Sequence, residues 1–316
     1  MKLKFWGTRG SVGAGLTNEE FNLKIRNILA KVSPEDIKDE ESITNFLENL
    51  PFTDRKTLGG NTACVQATFG DAFLIFDAGS GLRLLGKDLL EQYGKVLPST
   101  LHIFLSHFHW DHIQGFPFFS PAFVKGNKIK LYSALEEASK LLSKQQDASY
   151  FPVRFEDFGA DIEFVNFDPG KSFSVDKIKI KALQLSHPGT STGFRASDGS
   201  AAVVYMSDTE LVTLQSKEIK KYKAFVKDAD AVIIDSQYDF EESHQKKHWG
   251  HSSPFLFMDV LKNTGVKRVF LFHHDPGHTD QEIYKMHMRA SKYKEYNYPD
   301  ESFDVMIAIE GDEFSF

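Results

Sequence analysis

The densest chemistry in this sequence is Ser106-His107-Phe108-His109-Trp110-Asp111-His112, which puts four side chains able to bind a metal within six residues. Imidazole and carboxylate groups suit zinc, manganese and iron alike. Two such groups in one stretch are an ordinary find, whereas four with this alternation argue for two metal ions. They follow the apolar run Leu101–Leu105, which reads as a strand, and a strand entering a tight turn can aim them into one cavity. Further ligands must come from elsewhere in the chain. If each stands at a strand end, as His107 does, three candidates qualify: His187 after Lys179–Leu185, Asp208 after Val203–Met206, and His273 after Val269–Phe272. The doublet His273-His274 leaves that last ligand open by one residue.

The elements that must hold these residues are short. Strand-like runs recur at Lys2–Trp6, Thr62–Phe69, Ala72–Phe76, Leu101–Leu105, Lys128–Tyr132, Lys177–Leu185, Ala201–Met206, Ala231–Ile234, Arg268–Phe272 and Asp304–Ile309. Helical periodicity appears between them, at Leu82–Gln92, Leu135–Gln145, Ser216–Phe225, Pro254–Asn263 and Gln281–Lys292. Strands flanked by helices predict a layered α/β or α+β fold. Asn18–Leu50 reads differently, as an inserted helical hairpin. Thr17 with Glu20 forms a capping box, Ser33-Pro34 puts proline in a first turn, and Phe21, Ile25, Ile28 and Leu29 make one apolar face. That insertion, about residues 17–58, is readable as a lid, a dimer contact or padding.

Composition narrows the class. The 316 residues carry 37 Lys+Arg and 44 Asp+Glu, a net charge of −7, with 41% hydrophobic residues, as in a soluble globular protein. An acidic excess without a basic block removes the usual electrostatic reason to bind long nucleic acid. The lone cysteine, Cys64, excludes an internal disulfide framework and fits a reducing compartment. No run approaches signal-peptide or membrane-helix length, so the expectation is a cytoplasmic protein. Of the 29 phenylalanines, Phe108, Phe116, Phe118, Phe119 and Phe123 crowd the metal loop with Trp110. Such a cluster is more often core than a stacking surface.

His-x-His-x-Asp-His followed by a lone His, a lone Asp and a final His resembles the metallo-β-lactamase fold superfamily along nearly the whole chain. The resemblance implies a four-layer αβ/βα sandwich, with residues 1–316 as one hydrolase domain. It also implies that His107, His109 and His187 hold one metal, Asp111, His112 and His273 a second, and that Asp208 bridges them. His273 is favoured over His274 because its position is similar to the histidine of a Thr-His-Phe-Ser stretch in related phosphodiesterases. Gly7-Thr8-Arg9-Gly10-Ser11, Gly59-Gly60-Asn61-Thr62, Phe76-Asp77-Ala78-Gly79-Ser80-Gly81, Gln114-Gly115-Phe116-Pro117-Phe118-Phe119 and His273-His274-Asp275-Pro276 are similar to the tRNase Z-like and cyclic-phosphate phosphodiesterase branch. Singly, most of these glycines read as tight turns.

The implied reaction is hydrolysis of a small phosphodiester by a hydroxide between two divalent metals roughly 3.5–4 Å apart, zinc first, manganese or iron as alternatives. Asp111 would orient the nucleophile or take its proton. His251, in Trp249-Gly250-His251-Ser252, resembles the histidine this branch places near the scissile phosphate, as general acid or phosphate ligand. Its plainer reading is a residue at the entry of the helix beginning Ser253-Pro254. Asp77 is expected to support a ligand histidine from behind, and Asn61 and Thr62 to line the site. His244, His248, His278 and Asp280 have no role their spacing assigns. The competing activities are thioester hydrolysis, tRNA 3′ processing, for which a basic arm is missing, and a non-catalytic nucleotide-binding module. Relatives of this kind are often dimers, and the insertion offers apolar surface for a homodimer contact.

Overall fold

The computed structural model describes residues 1–211 and 216–316. Its strands are β1 (Lys2–Gly7), β2 (Cys64–Phe69), β3 (Ala72–Phe76), β4 (Leu101–Phe104), β5 (Lys128–Ser133), β6 (Asp161–Asn166), β7 (Ser172–Val175), β8 (Ile178–Gln184), β9 (Thr192–Ser197), β10 (Ala202–Met206), β11 (Ala231–Asp235), β12 (Arg268–Phe272), β13 (Asp304–Ile307) and β14 (Glu313–Ser315). They form two seven-stranded sheets, in the orders β14-β1-β2-β3-β4-β5-β6 and β13-β12-β11-β10-β9-β8-β7.

The central strands β3, β4, β10, β11 and β12 read as almost unbroken apolar runs because both faces of the sheets are covered there. Along β3 and β10 alternate residues go opposite ways. Leu74, Phe76, Val203 and Tyr205 enter the core between the sheets, while Phe73, Ile75, Val204 and Met206 face outward. Phe76 stacks on Tyr205 across the interface, with centroids 5.3 Å apart. The outer face of the first sheet is covered by Leu82, Leu85 and Leu89 of the helix Leu82–Tyr93. On the other side, Tyr222, Phe225, Phe257, Leu261 and Ala290 of three helices cover the second sheet. The result is the expected αβ/βα sandwich.

Pairing directions decide where the chemistry goes. β3 to β6 run parallel to one another, as do β10 to β13, and β8 is antiparallel to β9, which is antiparallel to β10. The carboxyl ends of β8, β10, β11 and β12 therefore share one rim, and those of β3 and β4 another. Loops leaving such ends are where open sheets carry ligand-binding groups.

The inserted segment holds more helices than expected. Asn18–Leu29 and Glu40–Asn49 are joined by a 3₁₀ turn, Pro34–Ile37, and followed by the short helix Phe52–Arg55. Thr17 and Glu20 make the expected capping box and Pro34 does sit in a first helical turn, but that turn is 3₁₀ and the second long helix begins only at Glu40, capped by Asp39. Neither long helix buries a single residue. The segment is fastened beyond them, where Leu58 and Phe52 pack on Ile283, Ile307 and Tyr284, and by polar contacts such as Lys24 with Asp280 at 3.1 Å, while Asn27 donates to Asp54 within it at 3.0 Å.

Candidate metal centre

Each candidate ligand stands just past a strand. His107 follows β4, His187 follows β8, Asp208 follows β10 and His273 follows β12, while a one-turn helix, Trp110–Ile113, turns Asp111 and His112 back toward His107. Asp77, Asp208 and His273 all have left-handed backbone, with φ of 61°, 49° and 61°. Such conformations persist at non-glycine residues only where the surroundings over-determine them, and they cluster at functional sites.

The seven candidates fall into two groups sharing one member. His107, His109, His187 and Asp208 form the first; Asp111, His112, Asp208 and His273 form the second, and in each the donor atoms lie within 4.8 Å of one another. Asp208 Oδ2 faces the first group, 3.6 Å from His107 Nε2 and 3.7 Å from His187 Nε2. Its Oδ1 faces the second, 3.1 Å from His112 Nε2 and 3.2 Å from His273 Nε2. Asp111 Oδ2 closes the second group, 3.0 Å from His273 Nε2 and 3.2 Å from His112 Nε2.

Residues behind the imidazoles orient them. His112 Nδ1–H donates to Asp77 Oδ2 at 2.7 Å, His273 Nδ1–H to Gln237 Oε1 at 2.9 Å and His187 Nδ1–H to the Gly250 carbonyl at 2.8 Å. His107 Nδ1 lies 3.0 Å from Ser106 Oγ. Four imidazoles thus turn Nδ1 outward to these partners and Nε2 inward, the orientation in which Nε2 is free to take a metal. His107 Nε2 is buried with no hydrogen-bond partner among the described residues. A buried nitrogen lone pair without a donor is costly, so its position among carboxylates and imidazoles fits a cation.

Charge makes the same case. Burial opposes ionisation of Asp111 and Asp208, yet His112 and His273 hold both carboxyls well below the usual range. Burial likewise discourages charge on His112, but Asp208, Asp111 and Asp77 outweigh it and raise its pKa. Three buried carboxylates therefore lean on one imidazole, and no Lys or Arg among the described residues pairs with any of them. Divalent cations would supply the missing positive charge.

His274, the alternative last ligand, points away from this cluster. Its Nε2–H donates to the Ala308 carbonyl at 3.1 Å, and burial lowers its pKa to about 3. His273 is the member of the doublet that reaches the centre.

Residues 73–274 match the family described as the beta-lactamase superfamily domain. The chain belongs to the metallo-β-lactamase superfamily. Ribonuclease Z of Thermoplasma volcanium is 22% identical over 252 residues, covering 66% of this chain and 80% of its own. The metallo-beta-lactamase fold protein YhfI from Bacillus subtilis shares the fold with a TM-score of 0.61 at 18% identity, over 99% of each chain. Human tRNase Z, short form, does so with a TM-score of 0.59 at 17% identity, over 100% of this chain and 99% of its own. The names of such relatives, ribonuclease Z and, for a Bacillus subtilis protein 25% identical over 222 residues, probable metallo-hydrolase, support a metal-dependent hydrolase.

Other expected site residues of this hydrolase divide. Asp77 reaches His112 from behind as expected, and also accepts from Ser106 Oγ and Tyr205 OH, each at 2.7 Å. Asn61 and Thr62 do not line the site: Asn61 Nδ2 donates to Glu310, and Thr62 Oγ1 accepts from Ser80 and Gln114. The aromatic cluster splits, with Phe116 and Phe119 fully buried in the core and Trp110 82% exposed at the rim. Gly10 and Gly250 are not simply turn residues. A Cβ at Gly10 would sit 2.3 Å from His273 Nδ1, and one at Gly250 would sit 2.2 Å from His187 Nδ1. These two glycines let the backbone press on ligand-position imidazoles.

His251 lies against the centre and lines both clefts that open onto it. Its Nδ1 is 2.8 Å from Asp235 Oδ2, and its ring stacks 5.0 Å from that of His273. Burial would lower its pKa, but Asp235 foremost, then Asp208 and Asp111, push it up to about 9. Asp235 and Gln237 had no place in the sequence reading. Asp235 ends the apolar run Ala231–Ile234, the same signal that located His187, Asp208 and His273. Among the described residues, no helix is long and apolar enough to cross a membrane.

Proposed function

We propose that this hydrolase cleaves a small, cyclic-nucleotide-like phosphodiester at a centre holding two divalent metals, zinc first, the chain 1–316 acting as one domain around it. His107, His109 and His187 would hold one ion and Asp111, His112 and His273 the other, with Asp208 shared between the two groups. The observation that carries this reading is the division of Asp208, one oxygen toward each histidine group. When bound, such a metal pair lowers the pKa of water and neutralises phosphate charge.

The chain supplies the rest. Asp111, fixed by the Ser11 N–H at 2.8 Å and held below the usual carboxylate range, orients the attacking water. Asp235 pushes the His251 pKa up, which favours the protonated ring, and with Nδ1 committed to Asp235 the Nε2–H is the one available to the leaving alkoxide. Phosphodiester cleavage also fits a relative named ribonuclease Z. Long RNA fits this chain less well: its net charge is −7, and Lys246 is the single Lys or Arg among the described residues lining the two clefts.

The test is turnover of a panel of cyclic nucleotides and bis(p-nitrophenyl) phosphate by zinc- or manganese-loaded protein, with chelated protein as control. Metal-dependent hydrolysis of any diester supports the proposal. Two metals bound with no diester cleaved overturns it and moves the substrate to the thioester class.

A further inference from the structure

The chain has three tryptophans, and they are placed unequally. Trp6 is 7% exposed and donates its indole N–H to Gln66, whereas Trp110 and Trp249, each lining one of the two clefts, are 82% and 64% exposed. An indole left largely in water forgoes the burial that most stabilises this side chain, unless a ligand completes it. Trp249 lines a cleft of ≈ 380 Å³ that reaches the metal centre through His109, His187 and His251.

The backbone around Trp249 is built to hold it there. His248 and Gly250, on either side, both have left-handed φ, 70° and 92°. One carboxylate fastens both, Glu210 accepting from His248 N–H at 2.7 Å and from Gly250 N–H at 3.2 Å. The Gly250 carbonyl in turn accepts from His187 Nδ1–H. The exposed ring is thus tied, within one residue, to an imidazole of the first group. Beside it stands Lys246, its ammonium 4.3 Å from the centroid of the Tyr238 ring and 3.7 Å from Asp275 Oδ2, all within the same cleft. A flat apolar face in the same cleft as a paired ammonium and carboxylate offers the stacking and the polar edge contacts by which a heteroaromatic base is recognised.

We propose that the Trp249 cleft is the nucleobase subsite, where the base of a nucleotide substrate stacks on Trp249 with Lys246 and Asp275 at its edge while its phosphate lies at the metal centre. This rests on the phosphodiesterase reading above and names the arm of the diester that the site recognises. Stacking of a base on an aromatic ring changes affinity on the order of tenfold or more.

Two measurements test it. In turnover, kcat/KM is compared for a nucleoside 3′,5′-cyclic phosphate and for methyl p-nitrophenyl phosphate, which has no base. Trp249→Ala is expected to lose on the order of tenfold more on the nucleotide than on the base-free diester, chiefly through KM, and Trp249→Phe to recover most of it. Equal losses on both substrates overturn the subsite. In binding, zinc-loaded protein is titrated calorimetrically with adenosine 5′-monophosphate and with ribose 5-phosphate. The nucleotide should bind on the order of tenfold tighter, an advantage erased by Trp249→Ala and kept by Trp249→Phe. Equal affinity of the two ligands for the unmutated protein overturns the proposal. Absence of diester turnover with that binding advantage intact rejects the reaction and leaves the base subsite standing.

Discussion

Asp208 concentrates the chemistry of the centre because it is fully buried, ionised and shared. Its two oxygens face different sets of imidazoles, so neither set is complete without it. His109 differs from the other ligand-position histidines in being exposed, with its Nδ1 3.1 Å from His187 Nε2. His109→Ala should therefore leave the fold intact by circular dichroism while lowering kcat/KM by more than about a hundredfold, beyond the loss typical of residues that merely orient ligands. Activity within tenfold of the parent would remove His109 from the centre. His251→Asn is expected to depend on the leaving group. Diesters releasing an alkoxide, which needs a proton, should slow by about 10²–10⁴-fold, and p-nitrophenyl esters far less. Equal slowing of both would make His251 a phosphate contact instead of an acid. Asp77→Asn keeps the side-chain shape but weakens four interactions, those to Ser106 N–H, Ser106 Oγ, His112 and Tyr205. Zinc affinity measured against a competing chelator should fall roughly 10–100-fold.

At the scale of elements, strands were legible where both faces are apolar and obscure where pairing imposes them. Ala72–Phe76 and Arg268–Phe272 match the sequence reading residue for residue. β6, β7, β9 and β14 went unread. β6 and β7 are the last strands of their sheets and half exposed, so their apolar signal is weak. β9 starts Thr192-Gly193, which reads as a turn, yet lies between β8 and β10 and is held by both. Its glycine lets the Tyr205 carbonyl and Leu185 approach, 3.2 Å from where a Cβ would be. The inserted helices were found from their caps and apolar spacing, but their expected apolar face is left in solvent, Phe21 and Leu29 being exposed. Amphipathic spacing identifies a helix, not what covers it. Gly10 and Gly250 carry the sharpest element-scale expectation. Gly250→Ala must displace the His187 ring or the loop, and its φ of 92° adds strain. Loss of tight zinc binding by dialysis, with secondary structure retained, is the expected outcome; unchanged stoichiometry and affinity would show that the loop yields.

For the whole molecule, the centre sits where the two sheets meet. Asp77 after β3, His107 after β4 and Asp208 after β10 are joined through Tyr205, whose ring packs in the inter-sheet core and whose hydroxyl donates to Asp77. Metal binding should therefore stabilise both halves together. At free zinc a hundredfold above Kd the gain is about 2.7 kcal/mol, enough to raise Tm by several degrees as a single transition. Chelation should reverse the shift, and an unchanged Tm would separate the metals from the fold.

Ligand chemistry and its place at strand ends were determined by the sequence alone, because side-chain type and local hydrophobic pattern are properties of short segments. His107-x-His109-x-Asp111-His112 needed no partner to be recognised. Only the tertiary structure decided that Asp208 turns one oxygen to each group, that His273 faces inward while His274 turns to Ala308, that Asp235 carries His251, and that Trp249 stands open beside them. Those relations join residues brought together by strand order and register, in some cases from opposite sheets. No local pattern records which strand will lie beside which, since that follows from the burial of both sheet faces at once.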